Sequence, residues 1–313
     1  MRTLIVNSIR ASLLLFLAGA GWSQSLPPGT PVVTGAEVDA SVTVDPDAGI
    51  FTYSFSVTNS SSSVGSLTNF DVDIATTAGG IPLSSDGLTN SATGYLHLIS
   101  MNNVAELGAS IIPVGFKSQP LGWKGSVDSE GLAGWFPGLS PAVKIAPGHS
   151  MVGFVIASRG VPGIRIFAVS SFVDPAVLFP VTGDESDEEM IRINAQAEAA
   201  ARASGFNGMT IGPVSPPSLT DPVQLLDFLI SLKHQAASRD WFFGPGAAGI
   251  VKSLDAKLDA AKESAGRGDN RAAANQLEAF INGLDAQKGK HLNDNAYFLL
   301  KPNAQFIIGK LKP

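Results

Sequence analysis

The chain has 313 residues, no cysteine, four histidines and a formal net charge of −6, so it is long enough for two cored modules and has no disulfide to stiffen either of them. The charge is divided unevenly: residues 25–217 carry 7 Lys/Arg against 17 Asp/Glu, and residues 218–313 carry 12 against 10. An acidic first module repels phosphate backbones and the second has no basic patch, which argues against nucleic acid as a partner.

Residues 1–23 read as a secretory signal peptide. Arg2 and Arg10 are its only charges, and the apolar run 11–20 (ASLLLFLAGA) ends in small residues. That run is about half of the roughly 20 residues a membrane span needs. The expected product is exported, periplasmic or secreted, without a transmembrane anchor.

Residues 30–180 are expected to form an antiparallel β-sandwich. In 49–58 (GIFTYSFSVT) Phe51, Tyr53, Phe55 and Val57 alternate with Thr52, Ser54, Ser56 and Thr58, the period of a half-buried strand. Phe70, Val72 and Ile74 alternate with Asp71 and Asp73 in 67–74, and this second strand is expected to form a hairpin with the first or to pair with it across a sheet. Further strands are expected over 32–44, 95–101, 111–116, 132–136, 142–145, 151–158 and 164–170. Turn signals such as Pro147-Gly148, Gly160 and Pro162-Gly163 separate them, and helical signals are almost absent before residue 184, which disfavours a βαβ fold. The sequence Phe51-Thr52-Tyr53-Ser54-Phe55-Ser56-Val57-Thr58-Asn59, then Gly122-Trp123, Trp135, Ile145-Ala146-Pro147-Gly148, Gly153-Phe154 and 157–164 (ASRGVPGI), resembles uncharacterised exported bacterial sandwich proteins, some of them sorted by PEP-CTERM signals. The sorting tail of that group is not seen here.

Residues 181–217 read as an acidic and Pro/Gly-rich linker holding a short helix. Five carboxylates fall in 184–189 (DESDEE). Calcium loops need oxygen ligands at turn spacing with a bending glycine, so a solvated helix start is the better account of this run. By the same reasoning 45–49 (DPDAG) reads as a β-turn. Residues 218–313 are expected to form a helical bundle, because apolar residues recur at three and four: Leu225, Leu226, Phe228, Leu229, Leu232; then Ile250, Val251, Leu254, Leu258, Ala261; then Leu277, Phe280, Ile281, Leu284. Asp269 or Asn270 can cap the third helix and Asn293 the fourth, which Pro302 should kink or restart. The runs 254–261 (LDAKLDAA), 268–270 (GDN), 272–277 (AAANQL), 279–282 (AFIN) and 287–290 (QKGK) resemble the FIMAH domain, a small helical module of exported bacterial proteins. That resemblance extends over about residues 222–311 and implies an accessory role, not a reaction.

Candidate chemistry is sparse. The stretch 148–153 (GHSMVG) suggests a nucleophile elbow around Ser150, yet Val152 stands where that turn needs glycine. His97, His149, His234 and His291 are scattered without helical pairing, so no metal site and no cofactor is expected. Trp123, Trp135 and Tyr95 are the candidate ligand contacts, as an aromatic platform for a sugar ring, although core packing of both tryptophans is the better account. The expectation is a non-catalytic exported structural or binding protein with an unknown envelope or extracellular partner. A carbohydrate-binding or adhesive accessory protein ranks second, and a hydrolase with an unrecognised site ranks third.

Overall fold

The computed structural model describes residues 30–75, 112, 114–127, 131–137, 143–172, 184–218 and 220–311. Its strands are β1 (Ala36–Asp45), β2 (Ile50–Asn59), β3 (Asn69–Asp73), β4 (Val114–Ser118), β5 (Lys124–Val127), β6 (Leu132–Phe136), β7 (Ser150–Ser158), β8 (Val161–Ser170) and β9 (Phe206–Val214). The helices are α1 (Asp187–Ala203), α2 (Pro222–Ala237), α3 (Ala247–Gly266), α4 (Asn270–Gln287) and α5 (Asp294–Leu311). Two antiparallel sheets, ordered β1-β2-β7-β4 and β5-β6-β3-β8-β9, form a sandwich. A helical bundle follows it.

The period-two pattern of β2 decides the first sheet. Phe51, Tyr53, Phe55 and Val57 all face inward, and their partners on β1 are Val44, Val42, Ala40 and Val38. The register between β2 and β7 slips after Phe55, leaving Gly153 unpaired at φ +102°, a backbone geometry that glycine adopts without strain. The turn at 46–49 closes the β1–β2 hairpin, with Asp45 Oδ1 accepting from the amides of Asp47 and Ala48 at 3.1 and 3.0 Å.

Two expectations about strand pairing and linker need correcting. β2 and β3 neither form a hairpin nor share a sheet; they belong to opposite sheets and meet edge to face through Phe55 and Phe70, 5.5 Å apart. The loop between them is the crossover, pinned where Asn59 Nδ2 donates to the carbonyls of Gly65 and Ile145. Within the expected linker, α1 is the short helix, with Asp187, Glu188 and Glu189 in its exposed first turn. Residues 206–214 are not linker but the edge strand β9, paired along its whole length with β8. Edge position is what lets a strand carry Pro213, and packing explains its glycines: a Cβ on Gly208 would lie 2.5 Å from the Phe167 ring.

In the bundle, Asp221 caps α2 through Val223 N (2.9 Å), Asp269 caps α4 through Ala272 N (2.9 Å) and Asn293 caps α5 through Ala296 N (2.9 Å). Leu225, Leu226, Leu229 and Leu232 meet Leu254, Leu258, Leu277, Phe280 and Leu284 in its core. α5 is continuous through Pro302, so the helix does not restart there. It buries residues around most of its circumference, including Leu299, Leu300, Pro302, Asn303, Phe306, Ile307 and Leu311, and leaves Asp294, Lys301 and Gln305 on its open side. An apolar arc that wide is more than one packing partner covers, and α5 lies in two cores at once. It packs on α2 and α4 and also on β1, β8 and β9, and the Phe306 ring sits 5.4 Å from that of Phe51. The hydrophobic core is continuous from sandwich to bundle.

Candidate functional site

Trp135, on β6, stands opposite Phe70 of β3, and the two rings stack at 5.1 Å and 7°. Phe55, Phe116 and Phe154 meet the same indole edge to face at 5.9, 5.2 and 5.6 Å. Trp123 meets Phe154 edge to face at 5.1 Å. With exposures of 2% and 0%, Trp123 and Trp135 present no face to a ligand. They form the aromatic centre of the sandwich, and Gly125 is the only residue type that fits beside it, because a Cβ there would fall 2.1 Å from the Phe116 ring. Tyr95, the third residue of the expected platform, lies outside the described residues, as does His97.

Ser150 and His149 are neighbours in sequence that do not act on one another. Ser150 Oγ shares a 2.7 Å hydrogen bond with Thr58 Oγ1, while His149 Nδ1 lies 3.0 Å from the Pro147 carbonyl, and both residues are exposed. His291 Nδ1 lies 3.1 Å from the Phe243 carbonyl, and His234 Nε2 is 3.7 Å from Asp255. Among the described residues no three His, Cys, Asp or Glu side chains are grouped to hold a metal ion.

The groups that sequence reasoning missed lie between helices. Lys233 of α2 is fully buried and its ammonium bonds to Asp255 of α3. Burial pulls its pKa down to about 8, against an opposing push from the Asp259 charge. Between α4 and α5, Tyr297 Oη donates to Asp285 Oδ1 at 2.7 Å, and Lys301 Nζ donates to both, at 2.7 and 2.8 Å. Burial pushes the Asp285 carboxyl upward, but the bonds from Lys301 and Tyr297 outweigh it and hold that carboxyl below its ordinary value. The Lys288 ammonium sits 4.4 Å from the centroids of both Tyr297 and Phe298 and 3.5 Å from Asp294. This fastens the end of α4 to the start of α5, with the Phe242–Leu292 bridge beside it. The FIMAH domain model matches residues 246–309.

The FIMAH match therefore takes in α3, α4 and nearly all of α5, together with the Asp285–Tyr297–Lys301 network. Its boundary leaves out α2, although Lys233 and the α2 leucines complete the core that the matched helices share. Lys233 stands on an otherwise apolar helix face, a pattern that does not separate a buried pair from a lysine turned to water. No curated protein matches the chain.

An ion pair inside the sandwich joins β8 to β3. Arg165 points inward from β8, its Nη1 3.6 Å from Asp73 Oδ2 and its Nε donating to the Pro213 carbonyl at 2.8 Å. Burial lowers the guanidinium's pKa, and Asp73 offsets part of that. Each buried charge described here is thus held by a neighbouring strand or helix, an arrangement suited to fixing elements in place.

Proposed function

We propose that the chain is an exported, non-catalytic protein that serves as a rigid structural or binding body outside the cytoplasm. The observation that carries this reading is the seating of α5 in both cores, which makes the sandwich and the FIMAH unit present one fixed outer surface. Pre-organised surfaces suit recognition and assembly, because little ordering entropy is spent on contact. The engagement of Lys233, Asp255, Asp285, Lys301 and Arg165 in bonds between elements supports the non-catalytic part. Export rests on the signal-like residues 1–23 and on the resemblance of the strands to exported sandwich proteins, including the PEP-CTERM-sorted group. The carbohydrate-binding alternative draws no support from Trp123 and Trp135, whose faces are covered.

The test has two parts. Fractionation with mass spectrometry of the expressed protein should find a chain lacking about residues 1–23 outside the cytoplasm, and full-length protein retained inside would sink the export claim. The purified protein is then screened against cell-envelope and plant polysaccharides and against ester and glycoside substrates. Saturable polysaccharide binding selects the adhesive reading within the proposal. Turnover lost in Ser150→Ala overturns the non-catalytic one.

A further inference from the structure

One rung of the five-stranded sheet is built from two prolines. Pro162 of β8 lies opposite Pro213 of β9, and with no N–H on either residue the pair can exchange no ladder bond. Both carbonyls are nevertheless satisfied, by side chains. Arg165, from the same sheet, donates its Nε to Pro213 at 2.8 Å. Asn303 donates its Nδ2 to Pro162 at 2.9 Å, and it comes from α5, 141 residues further along the chain. The same amide nitrogen donates to the Leu299 carbonyl at 2.7 Å, so both its protons are used, and Asn303 is only 3% exposed. Around this pin Phe306 covers Phe51, and Gly309 lies so close to the β1–β2 turn that an added Cβ would sit 3.3 Å from Pro46.

We propose that this end of the sandwich, formed by the β1–β2 turn and the Pro162–Pro213 rung, is an interaction surface built to receive α5, and that docking of the FIMAH unit there makes both parts one cooperative folding unit. Losing the Asn303 amide with α5 in place leaves the Pro162 carbonyl buried without that donor, and losing α5 itself uncovers Phe51. Those losses fall on the sandwich although the change is made in the helices. By the same coupling, damage deep in the helical core is transmitted to strands it does not touch. α4 supplies the case: it packs on α3 and α5, and Phe280 is buried at its centre. The proposal involves no ligand, so it stands or falls separately from the functional reading above.

Thermal unfolding of the full chain followed by two probes tests it. With Trp22 and Trp241 replaced by Phe, fluorescence of Trp123 and Trp135 reports the sandwich, and circular dichroism at helical wavelengths reports the bundle. The two curves are expected to coincide. Phe280→Ala is expected to move both midpoints down together, by about 10 °C. Asn303→Leu keeps the bulk but removes both donors, and is expected to lower the tryptophan midpoint as well. Should either variant fail to accumulate, Asp269→Ala at the exposed cap of α4 makes the same comparison with a smaller common shift. Curves that separate in the unsubstituted background, or a tryptophan midpoint that stays put while the helical one falls, overturn the proposal.

Discussion

Lys233 is buried without exposure in a helix whose other buried residues are four leucines and one alanine, and its partner Asp255 is what makes that placement tolerable. Asp255→Asn should therefore cost about 3 kcal/mol, since it strands a buried ammonium, whereas Lys233→Met should be neutral or stabilising within about 1 kcal/mol; urea titration of both variants checks the contrast. The pH dependence follows from the same burial. The folded pKa near 8 lies below the ordinary 10.5, so between those values the unfolded chain binds more protons and stability rises with pH. That rise should vanish in Lys233→Met. Tyr53 acts in the opposite sense. Burial raises its phenol well above 10, so above pH 10 the folded state keeps a proton that the unfolded state gives up, and stability falls. Tyr53→Phe should flatten that fall and, by losing the 2.7 Å bond to the Gly160 carbonyl, cost about 1 kcal/mol at neutral pH. At this scale the sequence was legible for Trp123 and Trp135, because large apolar rings among alternating strands have few places to go but the core. It was mute on Lys233, since one polar residue on an apolar face reads the same whether it is buried or turned to water.

At the scale of elements, the helices were the most legible part. Asp269 and Asn293 each stand just before an apolar-periodic run, and each caps its helix, as Asp221 does for α2. Asp269→Ala should cost about 1 kcal/mol, read as a lower helical unfolding midpoint. Strand β2 was equally plain, since its four inward residues repeat at the strand period. β9 was not, because two glycines and a proline in nine residues look like a linker. Their cause is a neighbour: Gly208 makes room for Phe167, and Pro213 needs no ladder donor where Arg165 supplies one. Gly208→Ala should destabilise by about 1–3 kcal/mol by pressing on the Phe167 ring, an effect that denaturant unfolding would show and that an ordinary linker glycine would not. The pairing of β2 and β3 was misread for a related reason. A short polar loop joins them, and nothing local distinguishes a hairpin from a crossing between sheets.

For the whole molecule, composition and periodicity suggested two modules on a tether, and the structure seats α5 between them. Cleavage in the connection between β9 and α2 should therefore release no free helical fragment: the two pieces should co-elute in gel filtration, and separate elution would contradict the shared core. The sequence by itself determined the classes of structure, because side-chain period separates strand from helix within a few residues and capping residues act on amides three positions away. It also carried the FIMAH match of residues 246–309, whose pattern of leucines and turn glycines is local in the chain. Tertiary structure alone decided that β9 is a strand, that Lys233 is paired and that Asn303 completes the Pro162–Pro213 rung. Each of those depends on a partner far along the chain, and the burial that gives such a contact its energy exists only once both sides have folded.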